Sequence, residues 1–399
     1  MNNKKYDICI VGGCGHVGLP LAIMFADKGQ RVCVYDINRA SIEKIKKGAM
    51  PFYEEGAGPI LKRVLDSGRL TFSTTPDVIK DSSSVIIIIG TPVDEHLNPE
   101  FGLLKKTIDD LVPYLYNDQL LILRSTIYPG LTKRINDWIT EAGKKLDVCF
   151  CPERILEGKA VEELQNLPQI VSSLSENGIK RCSELFSLLT DEIIVTEPLE
   201  AELSKLFTNV WRYLKFAISN QFYTIANDYN LDFYKIYNAM TYNYPRCKDF
   251  PRPGFAAGPC LFKDTMQLGA FSNNNFNLGH TAMLINEGLP NYICKQLKQN
   301  YDLSKMTVGI LGMAFKSESD DIRESLSYKV KKIFELEARK VLCSDAYVKS
   351  DDFVEEDLLI SESDIIIVAT PHKRYAELSI PESKKVIDIW NVFGKGGRI

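Results

Sequence analysis

The chain has 399 residues, room for two or three domains at roughly 100–200 residues each. Apolar residues make up 45%, with 19 Phe and 18 Tyr, which excludes disorder as a description of the whole chain. A formal net charge of −4 supplies no general pull towards nucleic acid or an acidic membrane. No apolar run approaches the ~18 residues of a membrane span, and the start, Met-Asn-Asn-Lys-Lys-Tyr, carries no hydrophobic signal region. A cytoplasmic protein without nucleic-acid or membrane partners is expected. Ten cysteines then read as reduced thiols, not a disulfide framework. None is paired as C-x-x-C, and His16, His96, His280 and His372 are scattered, so no metal site is expected.

In the first part, short apolar runs alternate with amphipathic stretches. The pattern predicts strands over 7–11, 31–35, 84–89, 120–123 and 147–151, and a helix over 17–28. Such alternation indicates a mostly parallel sheet covered by helices on both faces. Val85-Ile86-Ile87-Ile88-Ile89 has the continuous apolar character of a strand buried on both sides. From 200 to 229 there is neither Gly nor Pro, and Leu203, Leu206, Phe207, Val210, Leu214, Ala217 and Phe222 recur near helical spacing. One helix of roughly 30 residues would span about 45 Å. That length reads as a spacer between domains and as a subunit interface. The last part returns to the first pattern, with strands over 306–311, 340–343, 364–369 and 385–389 and a helix over 326–337. The expected fold is α/β: two Rossmann-like doubly wound domains joined by a long central helix and a helical middle domain, with boundaries 1–198, 199–300 and 301–399.

After the first strand comes Gly12-Gly13-Cys14-Gly15-His16-Val17-Gly18, in which Gly13, Gly15 and Gly18 fit G-x-G-x-x-G. In that pattern one glycine makes the turn, one lets a pyrophosphate approach backbone, and one packs helix on strand. The helix N-terminus then faces the phosphate. Asp36 ends the next strand about 20 residues on, where an acid accepts from the adenine-ribose hydroxyls and repels a 2′-phosphate. NAD is favoured over NADP, with Arg39 the one contrary sign. A ligand-free Gly-rich turn would leave Asp36 unexplained.

A second chemical segment runs from Arg252 to Asp264 and is rich in small residues before Cys260-Leu261-Phe262-Lys263-Asp264. A free thiol with pKa near 8.5 is only a few per cent thiolate at pH 7, so a nucleophilic Cys260 needs activation. On its own, Cys260 fits a buried structural thiol equally well.

Taken together these features resemble the UDP-glucose/GDP-mannose dehydrogenase family of nucleotide-sugar 6-dehydrogenases, over nearly the whole chain. The family's NAD fingerprint matches Gly13, Gly15, His16, Val17, Gly18 and Asp36, and Thr91-Pro92 matches a Thr-Pro bordering the cofactor. Ser125-Thr126 with Pro129-Gly130, Pro152-Glu153 with Glu157-Gly158, and Glu202-x-x-Lys205-x-x-x-Asn209 resemble three further family segments. Cys260, Lys263 and Asp264 match the nucleophile motif, with Arg246 upstream where the family has a substrate-contacting arginine. Gly312-Met313-Ala314-Phe315-Lys316 and the run from Asp320 to Ser325, including Arg323, match the sugar-nucleotide domain.

The resemblance implies an NAD-binding domain (1–198), a central helical domain with the Cys loop and dimerisation helix (199–300), and a nucleotide-sugar domain (301–399). It implies a four-electron oxidation of a UDP-sugar at C6, through a Cys260 thiohemiacetal and thioester, to the uronic acid used in cell-surface polysaccharide precursors, by a homodimer. Lys205 and Asn209 would stabilise oxyanions, Asp264 and Thr126 would handle proton and water, and Glu153 would assist thioester hydrolysis. Glu153, Glu157, Lys205, Asn209, Arg246, Gly258, Lys263, Phe315, Lys316 and Arg323 would contact substrate, and Thr126 would also border the cofactor. Lys205 and Asn209 lie on one helix face, which suits a shared ligand, although such a pair is ordinarily solvated. Glu153 alone would pass for a surface acid, and Lys316 with Arg323 for a turn of mixed charge. Pro371-His372 reads either as lining the nucleotide-sugar cleft or as a plain loop histidine.

The Cys loop departs from the family, with Ala256-Ala257 and Pro259 where relatives often have glycines, and Gln221 where many have Glu. Pro152-Glu153-Arg154 resembles dehydrogenases of UDP-N-acetylhexosamines, whereas Lys263-Asp264 is common in UDP-glucose enzymes. Two rivals remain: a two-electron hydroxy-acid dehydrogenase that needs no Cys260, and a non-catalytic NAD and UDP-sugar binding protein.

Overall fold

The computed structural model of the protein describes residues 4–91, 93–94, 100–256 and 258–399. Within them the chain forms two compact units, Met1–Thr208 and Asn209–Ile399.

The first unit is built on eight strands: β1 (Tyr6–Val11), β2 (Val32–Tyr35), β3 (Leu70–Ser73), β4 (Ser82–Ile87), β5 (Leu120–Leu123), β6 (Asp147–Phe150), β7 (Gln169–Ser173) and β8 (Ile193–Val195). Their order is β3-β2-β1-β4-β5-β6-β7-β8. All neighbours are parallel except β6 and β7, which pair antiparallel with Cys149 opposite Ser173. The order reverses between β1 and β4, so the loops after these strands part and leave a crevice at their carboxyl ends. Side chains alternate between two cores. Ile8 and Ile10 enter one with Leu19 and Ile23 of the helix Gly18–Asp27, while Cys9 and Val11 enter the other with Val85, Ile108 and Ile135. Burial on both faces is what makes the strands read as unbroken apolar runs.

β4 begins two residues before the expected 84–89 and ends two before it. Ser82 pairs opposite Tyr6, and its hydroxyl is satisfied by Val78 carbonyl at 2.7 Å. A serine that finds its own partner is accepted in the sheet, a cost that apolar periodicity does not weigh.

The long helix runs Pro198–Asp228, 31 residues and about 45 Å. It starts two residues before the Gly- and Pro-free stretch, because proline is tolerated in a first helical turn. The boundary between the two units falls inside this helix, after Thr208. Helices Phe233–Thr241, Leu261–Phe271 and Asn277–Asn300 follow. The second sheet comes next: β9 (Thr307–Leu311), β10 (Lys340–Ser344), β11 (Ile365–Val368) and β12 (Lys385–Ile387), all parallel, in the order β10-β9-β11-β12. The helix Leu326–Glu337 matches the expected range and is capped by Ser325, which accepts from Ser327 N–H. Among the described residues no helix is long and apolar enough to cross a membrane.

In each unit an acid just after the second strand reaches back to the turn after the first. Asp36 accepts the Cys14 N–H at 2.9 Å. Asp345 accepts those of Met313 and Ala314 at 2.5 and 2.9 Å, and those of Tyr347 and Val348 at 2.7 and 2.8 Å. Burial pushes the Asp345 carboxyl up, but the His372 ring and the Val348 and Tyr347 N–H groups outweigh it and hold the pKa at about 2. Its unfolded reference is 3.8, so the stability it contributes is complete above that pH and is lost as pH falls through the folded value. Urea melts of the second unit's signal should lose about 2 kcal/mol through this group between about pH 4 and about pH 2. Asp345→Asn should flatten that part of the profile while lowering stability at neutral pH.

Candidate active site

The glycine turn after β1 is packed to its limit except at one position. Gly12 has φ +75°, and a Cβ there would meet Ile88 carbonyl oxygen at 2.1 Å. A Cβ on Gly18 would meet Gly13 Cα at 2.5 Å, so helix and turn touch backbone to backbone. Gly15, by contrast, is exposed, and nothing lies within 4 Å of where its Cβ would be. Close packing behind and bare backbone in front fit a bound pyrophosphate, and Val17 at the head of the helix Gly18–Asp27 supplies the N-terminus. Asp36 has its two oxygens on the Cys14 and Asn38 N–H groups, each at 2.9 Å. Burial, reinforced by the Asp36 charge, pushes the Cys14 thiol up to about 12. The His16 ring stacks on Phe52 at 4.1 Å.

The loops leaving β4 and β5 are tied together. Ser125 Oγ accepts the Ile89 N–H at 2.8 Å, and Thr91 Oγ1 donates to Thr126 carbonyl at 2.6 Å. This brings Thr91 and Thr126 side by side; Pro92 lies outside the described residues.

Glu153 follows β6 and is not a surface acid: it is 9% exposed. Its Oε1 accepts the N–H groups of Arg154 and Ile155 at 2.7 and 2.8 Å, and its Oε2 meets the Arg124 guanidinium. Arg124 is 1% exposed, stacks 4.9 Å over the Phe186 ring, and donates to Cys151 carbonyl at 3.2 Å and Gln169 Oε1 at 3.0 Å. Sequence reasoning missed Arg124, although an arginine ending the apolar run Leu120-Leu121-Ile122-Leu123 needs a buried anion to be tolerated. Glu157 is half-buried, and the segment after it is held by Glu54, which accepts the Gly158 and Ala160 N–H groups at 2.9 and 2.6 Å.

Glu202 separates from the motif it shares with Lys205 and Asn209. Its carboxylate caps the helix Leu131–Glu141, accepting the Gly130 and Thr132 N–H groups at 2.5 and 2.8 Å and the Thr132 hydroxyl at 2.6 Å. Burial raises its pKa against the pull of those donors. Lys205 is half-buried, one helical turn before Asn209.

In the second unit, Cys260 stands at the N-cap of the helix Leu261–Phe271, its carbonyl accepting the Asp264 N–H at 2.9 Å. A helix N-terminus favours an anion there. Cys260 is exposed, Cys247 is half-buried, and the other eight cysteines are buried. Beneath it, Asp264 is fully buried; its Oδ2 accepts Asn209 Nδ2 at 2.6 Å, and Lys263 Nζ lies 3.6 Å from Oδ1. Only one of the two Asn209 amide hydrogens is used by that bond.

The loop before Cys260 is pinned from both sides. Asn220 exchanges hydrogen bonds with Gly254 at 2.8 and 3.0 Å and donates to Asn286 at 2.9 Å. A Cβ on Gly254 would meet Trp390 at 2.3 Å, and one on Gly258 would meet the Phe315 ring at 2.5 Å. Gly258 N–H donates to Glu324 carbonyl at 3.3 Å, so the structure brings Gly258 and Phe315 together. Ala256 is buried, and Ala257 lies outside the described residues. Lys316 reaches back over the Phe315 ring at 5.6 Å, and Arg323 makes a forked pair with Asp321. Arg246 is exposed beside the Tyr244 hydroxyl at 3.3 Å. His372 lines no cleft: it is fully buried.

Residues 6–190 match the NAD binding domain of the UDP-glucose/GDP-mannose dehydrogenase family, 199–288 its central domain and 309–395 its UDP binding domain. The UDP-N-acetyl-D-mannosamine dehydrogenase of Pyrococcus horikoshii is 31% identical, covering 97% of this chain and 92% of its own. The solved structure of the UDP-D-ManNAc dehydrogenase of that organism superposes with a TM-score of 0.87 at 29% identity, covering 93% of this chain and 91% of the other. A UDP-glucose dehydrogenase from Pyrobaculum islandicum also gives 0.87, at 25% identity, covering 97% and 95%.

The exposure pattern predicts one fast thiol. Titrating the native protein with a chromogenic disulfide should modify Cys260 first and Cys247 more slowly, with the other eight reacting only after denaturation. Cys260→Ala should remove the fast phase alone.

Proposed function

Because the chain belongs to the UDP-glucose/GDP-mannose dehydrogenase family and is an NAD-dependent UDP-sugar dehydrogenase, we propose that it oxidises the C6 hydroxymethyl of a UDP-sugar through four electrons to the uronic acid. The single observation that carries this reading is Cys260, the exposed thiol at a helix head above the buried Asn209–Asp264 pair. A two-electron dehydrogenase or a binding protein has no use for that arrangement. NAD, when bound, accepts two electrons as hydride in each of two oxidations. Gly13, Gly15 and Gly18 hold its pyrophosphate, Asp36 its ribose, and Thr91 with Thr126 border it.

The C6 alcohol first loses a hydride and a proton to become an aldehyde, and the thiolate of Cys260 then adds to it, forming a C–S bond and a thiohemiacetal oxyanion. Lys205 and the second Asn209 N–H stabilise oxyanions at C6. Oxidation of the thiohemiacetal leaves a thioester. Water then adds, the C–S bond breaks, and the thiol is restored with the carboxylic acid. Asp264 and Thr126 relay protons and hold the water, and Glu153 assists this hydrolysis. Phe315, Lys316, Arg323, Arg246 and Glu157 contact the nucleotide sugar, with the cations facing the diphosphate. UDP-N-acetyl-D-mannosamine is the first substrate to test. The names of the similar dehydrogenases and the Pro152-Glu153-Arg154 segment support it. UDP-glucose is second, supported by the Pyrobaculum likeness and Lys263-Asp264.

The product is an acid suited to a surface-polysaccharide precursor, and the working enzyme is a homodimer. Phe207, Trp211, Ile218, Phe222 and Ile225 are all exposed on the long helix, Trp211 by 55%, and fall within about 60° of arc over about 27 Å. An apolar stripe of that length on one face fits a second copy of the same helix.

Two NADH should form per UDP-sugar consumed, with the uronic acid identified by mass. Cys260→Ala should abolish acid while leaving NAD binding intact; a ratio of one NADH, or normal acid from the variant, would sink the scheme. Sedimentation should find a dimer at micromolar concentration and a monomer for Trp211→Glu. A monomeric parent protein would contradict the dimer.

A further inference from the structure

The segment 312–325, read above as the nucleotide-sugar contact, is held in an unfavourable shape. Glu318 sits at φ +54°, a left-handed conformation that a side chain with a Cβ adopts only when its surroundings enforce it. The Glu318 N–H donates to His372 Nδ1 at 3.0 Å. Its Oε1 accepts the Lys373 N–H at 3.0 Å and its Oε2 the Tyr347 hydroxyl at 2.8 Å. His372 Nε2 lies 3.3 Å from Asp345 Oδ2, the oxygen that also takes the Met313 and Ala314 N–H groups. An Nδ1 that accepts a hydrogen bond carries no proton, so the ring is the neutral tautomer with its hydrogen on Nε2, directed at Asp345. The ring is fully buried and packed between Tyr347 and Tyr375, with centroids at 5.0 and 5.2 Å. One imidazole therefore grips both ends of the turn: the backbone before Phe315 through Asp345, and the strained residue after Lys316 directly.

We propose that His372 is a positioning residue for nucleotide-sugar binding, which sets the place of Phe315 and Lys316 without touching substrate by holding the Glu318 N–H on Nδ1. The proposal rests on the reading of 312–325 as the substrate segment, and its test separates the two. UDP binding is measured by calorimetry, beside KM for the UDP-sugar, KM for NAD, kcat and thermal melting. His372→Ala should weaken UDP about tenfold, a loss typical of one stranded buried hydrogen bond, and raise KM for the UDP-sugar in step, with KM for NAD unchanged. His372→Asn presents Oδ1 near the Nδ1 position and should restore UDP affinity to within about threefold, while melting no higher than the alanine variant because the ring's packing is still lost. A merely structural histidine would lose affinity and melting temperature together in both variants, and that result overturns the proposal. So does unchanged UDP affinity in His372→Ala when Lys316→Ala weakens UDP. If Lys316→Ala leaves UDP affinity unchanged, the reading of the segment falls and takes the proposal with it. Should both histidine variants fail to fold, Tyr347→Phe decides: it removes one hydrogen bond from Glu318, and UDP weakened about threefold supports the proposal whereas unchanged affinity refutes it.

Discussion

Loops that leave the carboxyl ends of parallel strands carry backbone N–H groups with no strand to pair them, and in this protein buried or half-buried carboxylates take them in twos or more. Asp36 serves the glycine turn, Glu153 the turn after β6, Glu54 the Gly158–Ala160 backbone, Glu202 the head of the helix Leu131–Glu141, and Asp345 the turns after β9 and β10. A carboxylate is suited to the task because each oxygen accepts more than one donor and charge-assisted bonds are stronger than neutral ones. The shape of these loops depends on the pairings, whereas the loop before Cys260 is held by the Asn220 amide instead. Removing Glu153, Glu202 or Asp345 strands donors in a poorly solvated place.

The same constraint separates the two α/β halves. In the first, Asp36 occupies Cys14 N–H from the side, and the turn at Gly15 stays bare towards solvent. In the second, Asp345 fills the N–H groups of Met313 and Ala314 outright. A phosphate cannot use donors that an internal carboxylate already holds. The first turn is left with backbone to offer a dinucleotide, whereas in the second the Met313 and Ala314 N–H groups are already taken.

Much of this was legible in the sequence, because hydrophobic period and glycine spacing report on packing directly. The strand runs, the helix 326–337, the long central helix and the G-x-G-x-x-G turn all follow from that kind of signal. The short strands β3, β7 and β8 escaped it: β3 and β8 are only partly buried and β7 holds two serines and a glutamine, so none has a clean apolar alternation. What periodicity cannot report is the direction of a polar side chain. Glu202, Lys205 and Asn209 sit at helical spacing and read as one cluster, yet Glu202 turns to a neighbouring helix head while Asn209 turns to Asp264. Glu153 and Arg124 are ordinary letters 29 residues apart until the sheet sets β5 beside β6. His372 read as a loop or cleft residue because nothing in Thr-Pro-His announces that Glu318, 54 positions earlier, needs an acceptor.

The long helix carries two kinds of surface at opposite phases. At 100° per residue, Lys205 and Asn209 project from the side roughly opposite Phe207, Trp211 and Ile225. Adding or deleting a single residue between Asn209 and Trp211 would keep every side chain yet turn Trp211, Ile218, Phe222 and Ile225 by 100° against Lys205, Phe207 and Asn209, splitting the apolar stripe. Natural variation along this rod should therefore be confined to exchanges of one letter for another, with its length in whole turns held constant.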